Sequence, residues 1–423
     1  MNETNPQFLT GWKFTFFGLK FLFSLGKYIF QRKKYPLFSL RSILLYIKKG
    51  RLGMRKIVKF GSKYFMAITR VPHWPSNPYD RMAAQGGLNI DEAGTSSKNQ
   101  IDSVILAITR KCHYNCQHCY EYLNLAKKDS VPVDKWNRVI ADLQKIGVNL
   151  IILSGGEPLL RYEDLLVLLE SGDKDVSDFH IHTSGYAVSL QKAQSLKKAG
   201  LTAAGISLDD HDPELHNTFR GYSGALEESV KAIQYFRQAG VFPYVNVLLQ
   251  KNLVRAERLW HYLDYVKDLG VGIINLLEPK PAGRFFPDWD KNLFSEEDRR
   301  EACEFFQKTN RDKKYRDYPF IAYMSYFEKL ECVGCLMGGL SHFYIDSAGN
   351  VKPCVFVPVT FGNIMEEDFT AIYQKMRKAC PNPLHKECPS LSLVDKIKEK
   401  TNRGIPLPIP YESIREDWEK MYS

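Results

Sequence analysis

From residue 103 onward, apolar and polar positions alternate between two periods. Short β-like runs appear at SVILAIT (103–109), VNLIILS (148–154), DFHIHT (178–183), LTAAGISLD (201–209), PYVNVLL (243–249) and VGIINLL (271–277). Between them, segments at 133–146, 163–170, 189–199, 224–239 and 253–269 carry the 3.6-residue period of amphipathic helices. Six such strand–helix alternations predict a parallel sheet with helices on its outer face. Sheets of this kind bind ligands at the C-terminal ends of their strands. Four segments of unusual composition fall there: KCHYNCQHCY after the first strand, SGGEP after the second, TSG after the third and SLDD after the fourth.

Beyond residue 290 the pattern changes. A helix is predicted over 295–308, with Ser295 and Asp298 at capping-box spacing. HFYID (342–346) and NVKPC (350–354) flank SAG and predict a β-hairpin. A short helix (366–377) and the segment ACPNPLHKECPS complete what reads as a separate small module. At the other end, residues 8–30 are rich in Phe, Leu, Trp and Tyr, interrupted by Lys13, Lys20 and Lys27, with Lys34 continuing the series. A seven-residue recurrence keeps these lysines on one helix face, drifting about 20° per step. No uncharged apolar run approaches the roughly 18 residues of a membrane span. A narrow cationic stripe on an apolar helix suits the plane of a membrane interface instead. Further cations follow, from Arg32 through Lys56 to Lys59. Residues 71–100, rich in Pro, Gly, Ser and Asn, read as a linker. The resulting division is an arm (1–70), a linker (71–100), the α/β body (101–290), connecting helices (291–330) and the small module with its tail (331–423).

Composition sharpens this picture. The chain has 423 residues, 44% apolar and 25% charged, which excludes disordered, collagen-like and multi-span membrane classes. Its net charge of +10 is concentrated at one end. Residues 1–70 hold fifteen Lys or Arg against a single acid, Glu3. The basic arm points to an anionic membrane surface, ahead of packing on the body and of nucleic acid, which ranks last. Nine cysteines are too few for a disulfide scaffold, and eight of them cluster, which predicts metal sites in a reducing compartment. No secretory signal is visible, so the expected location is cytoplasmic, peripheral on the inner face of the membrane.

The chemistry is concentrated in the cysteine loop. Cys112, Cys116 and Cys119 stand at C-x3-C-x2-C spacing. Three thiolates on one loop suit three irons of a [4Fe–4S] cluster, which normally takes four ligands, and leave one iron open. An open metal position is where a substrate or cofactor binds. A zinc knuckle completed by His113 or His118, or three unrelated buried cysteines, are the alternatives; the x3 gap counts against zinc. On these residues, together with Ser154-Gly155-Gly156-Glu157-Pro158, the chain resembles the radical S-adenosylmethionine (SAM) enzymes. That resemblance implies a partial (β/α)6 barrel. It also implies that Cys112, Cys116 and Cys119 ligate the cluster, that His118 contacts the adenine of SAM, and that Gly155, Gly156 and Glu157 engage its methionine amino group. Ser184 falls in a T-N-G-like motif at the third strand end, with Ser in place of Asn. Ser207 and Arg220 resemble positions that contact the ribose and carboxylate of SAM. Asp209 is a candidate acid or base on the substrate side, and the loop 278–283 (EPKPAG) resembles one that closes the site.

The C-terminal module resembles the SPASM/twitch extension, an α+β domain that holds auxiliary iron–sulfur clusters. Cys335-x-x-Gly338, and Gly349 with four residues between it and Cys354, match its opening half. The dense cysteine run of a full module is reduced here to Cys380 and Cys388. This implies one auxiliary cluster on Cys335, Cys354, Cys380 and Cys388, with Cys332 as a substitute for Cys380. Cys303, between apolar neighbours, reads as core. The activity implied is reductive cleavage of SAM to a 5′-deoxyadenosyl radical, with electrons from a flavodoxin or ferredoxin, followed by hydrogen abstraction. The aromatic, basic arm favours a substrate found at a membrane: a lipid, isoprenoid, quinone or tetrapyrrole. A peptide- or protein-modifying maturase is the alternative. An iron–sulfur electron carrier or metal-binding protein without SAM chemistry is a reading of another class.

Overall fold

The computed structural model describes residues 4–18, 56–66, 71–85, 101–255, 257–327, 334–385 and 387–422. Three short strands come first: β1 (Gln7–Leu9), β2 (Ile57–Phe60) and β3 (Lys63–Phe65). The six expected strands of the body follow as β4 (Ser103–Ala107), β5 (Leu150–Ser154), β6 (Asp178–Thr183), β7 (Ala203–Ser207), β8 (Phe242–Leu248) and β9 (Ile273–Leu277). Each pairs in parallel with the next. The period of two sorts their side chains. Val104, Leu106, Ile151, Leu153, Ile181 and Ile206 join the main core. There they meet helical residues such as Trp136 and Leu143 of Val133–Lys145 and Phe236 of Ala225–Gln238. Ile105, His182, Ser207, Asn246 and Asn275, on the opposite face, line a cavity.

The sheet extends past these six strands. β10 (Phe320–Tyr323) adds in parallel to β9. The predicted hairpin forms from β11 (His342–Ile345) and β12 (Val351–Lys352), but it is not detached. β11 lies parallel to β4 and covers its edge, so the C-terminal module begins as part of the same nine-stranded sheet. No pairing among the described strands closes that sheet into a full barrel. The capping box also forms. Ser295 Oγ accepts from the Asp298 amide at 3.2 Å, Asp298 Oδ2 accepts from the Ser295 amide at 2.9 Å, and the helix runs Glu296–Arg311.

Part of the expected arm and linker is body. β1 pairs with β2 and β2 with β3, all antiparallel. Val58, Phe60 and Phe65 pack on Ala203, Phe242, Ile273 and Phe320, the first residues of β7, β8, β9 and β10. The small sheet therefore plugs the N-terminal end of the large one. Lys56 is a plug residue, not a lipid-facing cation. It is 2% exposed, with its ammonium on the Tyr315 and Tyr318 carbonyl oxygens at 2.7 and 2.8 Å. Trp74 exchanges two backbone hydrogen bonds with Tyr64. The His73 ring meets Asp178 at the start of β6, with Nδ1 2.8 Å from Oδ2, and a helix follows at Asn77–Gln85. Local composition hid these contacts because their partners lie far along the chain. Of the lysine stripe, Lys13 sits on a helix at 11–18, while Lys20, Lys27 and Lys34 lie outside the described residues. No described helix is long and apolar enough to cross a membrane.

Candidate active site

The loop carrying Cys112, Cys116 and Cys119 contains no helix or strand of its own. Neighbouring backbone holds it. The amides of Gly156 and Glu157 donate to the carbonyls of Thr109 and Lys111 at 2.8 and 2.7 Å. The Gln117 amide donates to Phe219 at 3.0 Å, and the Arg284 amide donates to Cys119 at 3.1 Å. Segments following β5, β7 and β9 thus grip it. The fit leaves no room for side chains at two glycines. A Cβ on Gly156 would overlap the Lys111 carbonyl oxygen, and one on Gly283 would overlap the Cys119 carbonyl and Tyr120 Cα. Glu121 ties the loop to the C-terminal hairpin: Oε1 accepts from Tyr344 Oη and Oε2 from Ser347 Oγ, both at 2.5 Å. Sequence reasoning missed Glu121, because an acid in a polar loop reads as solvent-exposed until its partners, more than 200 residues away, are known.

These segments enclose a cavity of about 310 Å³. Cys112, Cys116, Cys119, His118, Gly155 and Gly156 line it, as do Ser184, Ser207 and Asp209 from the neighbouring strand ends and Arg220 from the end of the helix Pro213–Arg220. Cys335, Cys354 and Cys388 reach the same cavity from the C-terminal module. Cys380 does not. It is fully buried, its Sγ packed where a Cβ on Gly338 would sit. Cys332 lies outside the described residues. Cys303 packs against the main core, as its neighbours suggested.

Glu157 is also absent from the cavity wall. It is buried, and its oxygens accept from Thr183 Oγ1 (2.6 Å), the Leu159 amide (3.1 Å), the Ser184 amide (2.8 Å) and Ser184 Oγ (2.5 Å). Burial pushes its carboxyl up, against these four donors. Glu157 therefore fastens the loop after β6 to that after β5. The sequence motif does not tell which way a strand-end side chain turns.

Asp209, expected as an acid or base, is occupied. Oδ2 accepts from Arg220 Nε at 2.5 Å and Oδ1 from the Leu248 amide at 2.8 Å. Burial pushes this carboxyl up, but Arg220, joined by His118, His216 and the Leu248 amide, holds it below the ordinary range. Arg220 in turn places a guanidinium nitrogen 3.9 Å from Cys116 Sγ. His118 stacks on Phe219, with centroids 4.6 Å apart and 16° between the planes. Burial drives its imidazole down to about 3, so the ring is neutral, and its buried Nδ1 has no hydrogen-bond partner among the described residues. Burial pushes the Cys112 thiol up to about 12 and raises Cys116 and Cys119 too. Such thiols become thiolates on binding metal.

The donor set fits an iron–sulfur group rather than a single ion. Among the described residues no three His, Cys, Asp or Glu side chains converge on one metal ion. His113 turns its ring to Tyr186 instead, with centroids 4.7 Å apart. Three thiols lining one cavity, beside a flat neutral ring, match a cluster and a nucleotide. The cavity also holds polar side chains that the motifs did not flag. His182 Nε2 lies 2.9 Å from Tyr244 Oη, and Asn275 Nδ2 donates to Asn246 Oδ1 at 2.9 Å. The signal for them was present: polar residues at inward positions of the period-two strands.

Residues 106–271 match the profile of the Radical SAM superfamily, and residues 335–390 match SPASM, an iron-sulfur cluster-binding domain. The chain is 27% identical over 292 residues to the AdoMet-dependent heme synthase of Methanosarcina barkeri, covering 63% of this chain and 80% of that protein. It is 30% identical over 271 residues to a "Probable GTP 3′,8-cyclase" of Methanococcus aeolicus, covering 60% of this chain and 86% of the other. Among solved structures, Streptococcus suis SuiB bound to S-adenosylmethionine superposes with a TM-score of 0.55 at 18% identity, covering 71% of this chain and 75% of SuiB. That likeness is one of fold.

Proposed function

The chain belongs to the radical SAM superfamily, an enzyme family whose cofactors are iron–sulfur clusters and S-adenosylmethionine, and from that premise we propose that it abstracts hydrogen from an amphiphilic, membrane-associated substrate of the tetrapyrrole class. The observation that carries this reading is the single cavity. Cys112, Cys116 and Cys119 face it from one end of the chain and Cys335, Cys354 and Cys388 from the other. In the proposed roles, the first triad holds the cluster with an open iron, and the second holds one auxiliary cluster. When bound and reduced, the first cluster and SAM supply a 5′-deoxyadenosyl radical.

The chain's own residues do the orienting. His118 and Phe219 give the adenine a flat neutral surface. Gly155, Gly156, Ser184 and Ser207 supply the strand-end rim against which SAM lies. Arg220, fixed by Asp209, presents a cation to its carboxylate; Asp209 is thus a positioning residue. Glu157 acts through the Ser184 loop that it anchors. Apolar lining from Leu248, Phe285, Phe343 and Phe356 keeps water from the reacting carbon.

The substrate class draws support from the relatives named as heme synthases and as an Fe-coproporphyrin III synthase. The membrane surface draws support from the net charge of +14 on residues 1–70. A flavodoxin or ferredoxin supplies the electron, and the protein works on the cytoplasmic face. The test is an anaerobic incubation of reconstituted protein with SAM and dithionite, with and without iron coproporphyrin III. Expected is 5′-deoxyadenosine whose formation rises with the porphyrin, which itself changes mass. Formation indifferent to the porphyrin sinks the substrate class, and no 5′-deoxyadenosine at all sinks the radical chemistry.

A further inference from the structure

The helix at 11–18 has two faces. Phe17, 5% exposed, packs on Tyr64 and Trp74 with ring centroids at 4.7 and 5.4 Å, and Phe14 joins the same cluster. One turn apart on the other face stand Trp12 and Phe16, 75% and 65% exposed. Among the described residues no other large apolar side chain exceeds 47%. The greatest apolar exposure of the described protein is therefore two aromatic rings on one short helix. Lys13 lies beside them, its Nζ 5.9 Å from the centre of the Trp12 ring. An amphipathic Trp ring and an apolar Phe ring beside a cation are what the boundary between headgroups and acyl chains takes up. The surrounding sequence supplies the complementary charge, since residues 1–70 contain one acid.

The position of this helix adds a direction. It rests on Tyr64 and Trp74, hence on the small sheet that plugs the N-terminal ends of β7 to β10. The cavity lies above it on the same strands, lined by Ser207 of β7, Asn246 and Leu248 of β8 and Asn275, Leu276 and Leu277 of β9. At about 3.3 Å per residue, Asn275, the deepest of these on β9, stands roughly 7 Å along the strand from the Ile273 that the plug covers.

We propose that helix 11–18 is the point where the protein meets an anionic lipid bilayer, with Trp12 and Phe16 inserted, so that the plugged base faces lipid and the cavity faces water. This rests on the membrane part of the proposed function and is independent of the radical chemistry. It also narrows the substrate. A lipid, isoprenoid or quinone dissolved in the bilayer meets the Val58, Phe60 and Phe65 plug rather than the cavity. An amphiphile carrying ionised groups, able to leave the surface, reaches the cavity.

The experiment uses the full-length reconstituted protein and flotation with vesicles of phosphatidylcholine alone or mixed with phosphatidylglycerol. Wild type floats with the mixed vesicles. The double variant Trp12→Ala/Phe16→Ala loses at least about tenfold in partitioning, since 1.4 kcal/mol is a factor of ten and two ring burials exceed that. Its 5′-deoxyadenosine formation stays at the wild-type level. With brominated lipid, Trp12→Phe keeps the binding but removes the fluorescence quenching seen in wild type. A double variant that floats as well as wild type overturns the anchor while leaving the membrane reading standing. Wild type that floats with neither vesicle overturns both, and the radical chemistry is untouched. A double variant that turns a dimer into a monomer in sedimentation, with flotation unchanged, assigns the face to a second copy and overturns the proposal.

Discussion

At the C-terminal ends of the strands, buried ionisable groups are matched to named partners: Asp209 to Arg220, Glu157 to Thr183 and Ser184, Glu121 to Tyr344 and Ser347. At the N-terminal ends, Phe60, Phe65 and Val58 press on Phe242, Ile273 and Phe320, and Phe65 stacks on Phe242 at 4.0 Å. The first arrangement holds a cysteine loop without helix or strand of its own in one geometry. The second closes a hole. The contrast teaches that the site is positioned from one end of the sheet, while the other end contributes to stability alone. Substitutions at the polar end should therefore damage cofactor handling, and those at the apolar end stability alone.

The largest effect belongs to the polar end. Replacing Cys112, Cys116 and Cys119 with Ala should reduce 5′-deoxyadenosine to background by chromatography, while circular dichroism still reports the α/β fold. Next comes Arg220→Ala, which strands the buried Asp209 carboxylate. Losing one partner of such a pair costs about 3–5 kcal/mol, read from denaturant unfolding. Asp209→Asn should cost less and should also change the pH dependence. Because Arg220 holds Asp209 below the ordinary carboxylate range, the pair contributes fully above the unfolded value of about 3.9 and is lost as pH falls through the lower folded value. Wild type should thus lose stability more steeply below that pH than Asp209→Asn; equal slopes would show that the pair is not formed.

Much of this site was legible in the sequence, because its motifs are short and lie at strand ends. The cysteine spacing, Gly155-Gly156, Ser184, Ser207 and Arg220 all meet in one cavity, as the alternation of strands and helices implied. What was illegible needed contacts across the chain. The plug pairs Gln7–Leu9 with Ile57–Phe60, and a three-residue strand leaves no periodic trace. His73 looks like linker until Asp178 stands beside it. Asp209 reads as a free acid until Arg220, eleven residues on, folds back along a helix. Gly156 and Gly283 were expected to admit a ligand or close a loop; both make room for the backbone of the cysteine loop.

Smaller effects sharpen the division. Gly283→Ala pushes a methyl group into the cysteine loop and should destabilise by about 1–3 kcal/mol. Its iron content after reconstitution should fall further than that of an equally destabilised plug variant. At the base, His73→Ala removes one of several partners of Asp178 and should cost about 1–3 kcal/mol by thermal unfolding. Its 5′-deoxyadenosine formation per folded molecule should stay unchanged, and a parallel loss would erase the distinction between the two ends. Smallest is Tyr244→Phe, which removes one hydrogen bond to His182 and should cost about 1 kcal/mol.

The most direct test of the central claim is SAM cleavage by the anaerobically reconstituted wild-type protein under dithionite, followed as 5′-deoxyadenosine. Formation of that product, abolished when the three loop cysteines are replaced, is the expected result. A protein that loads iron and sulfide yet neither binds nor cleaves SAM would contradict it.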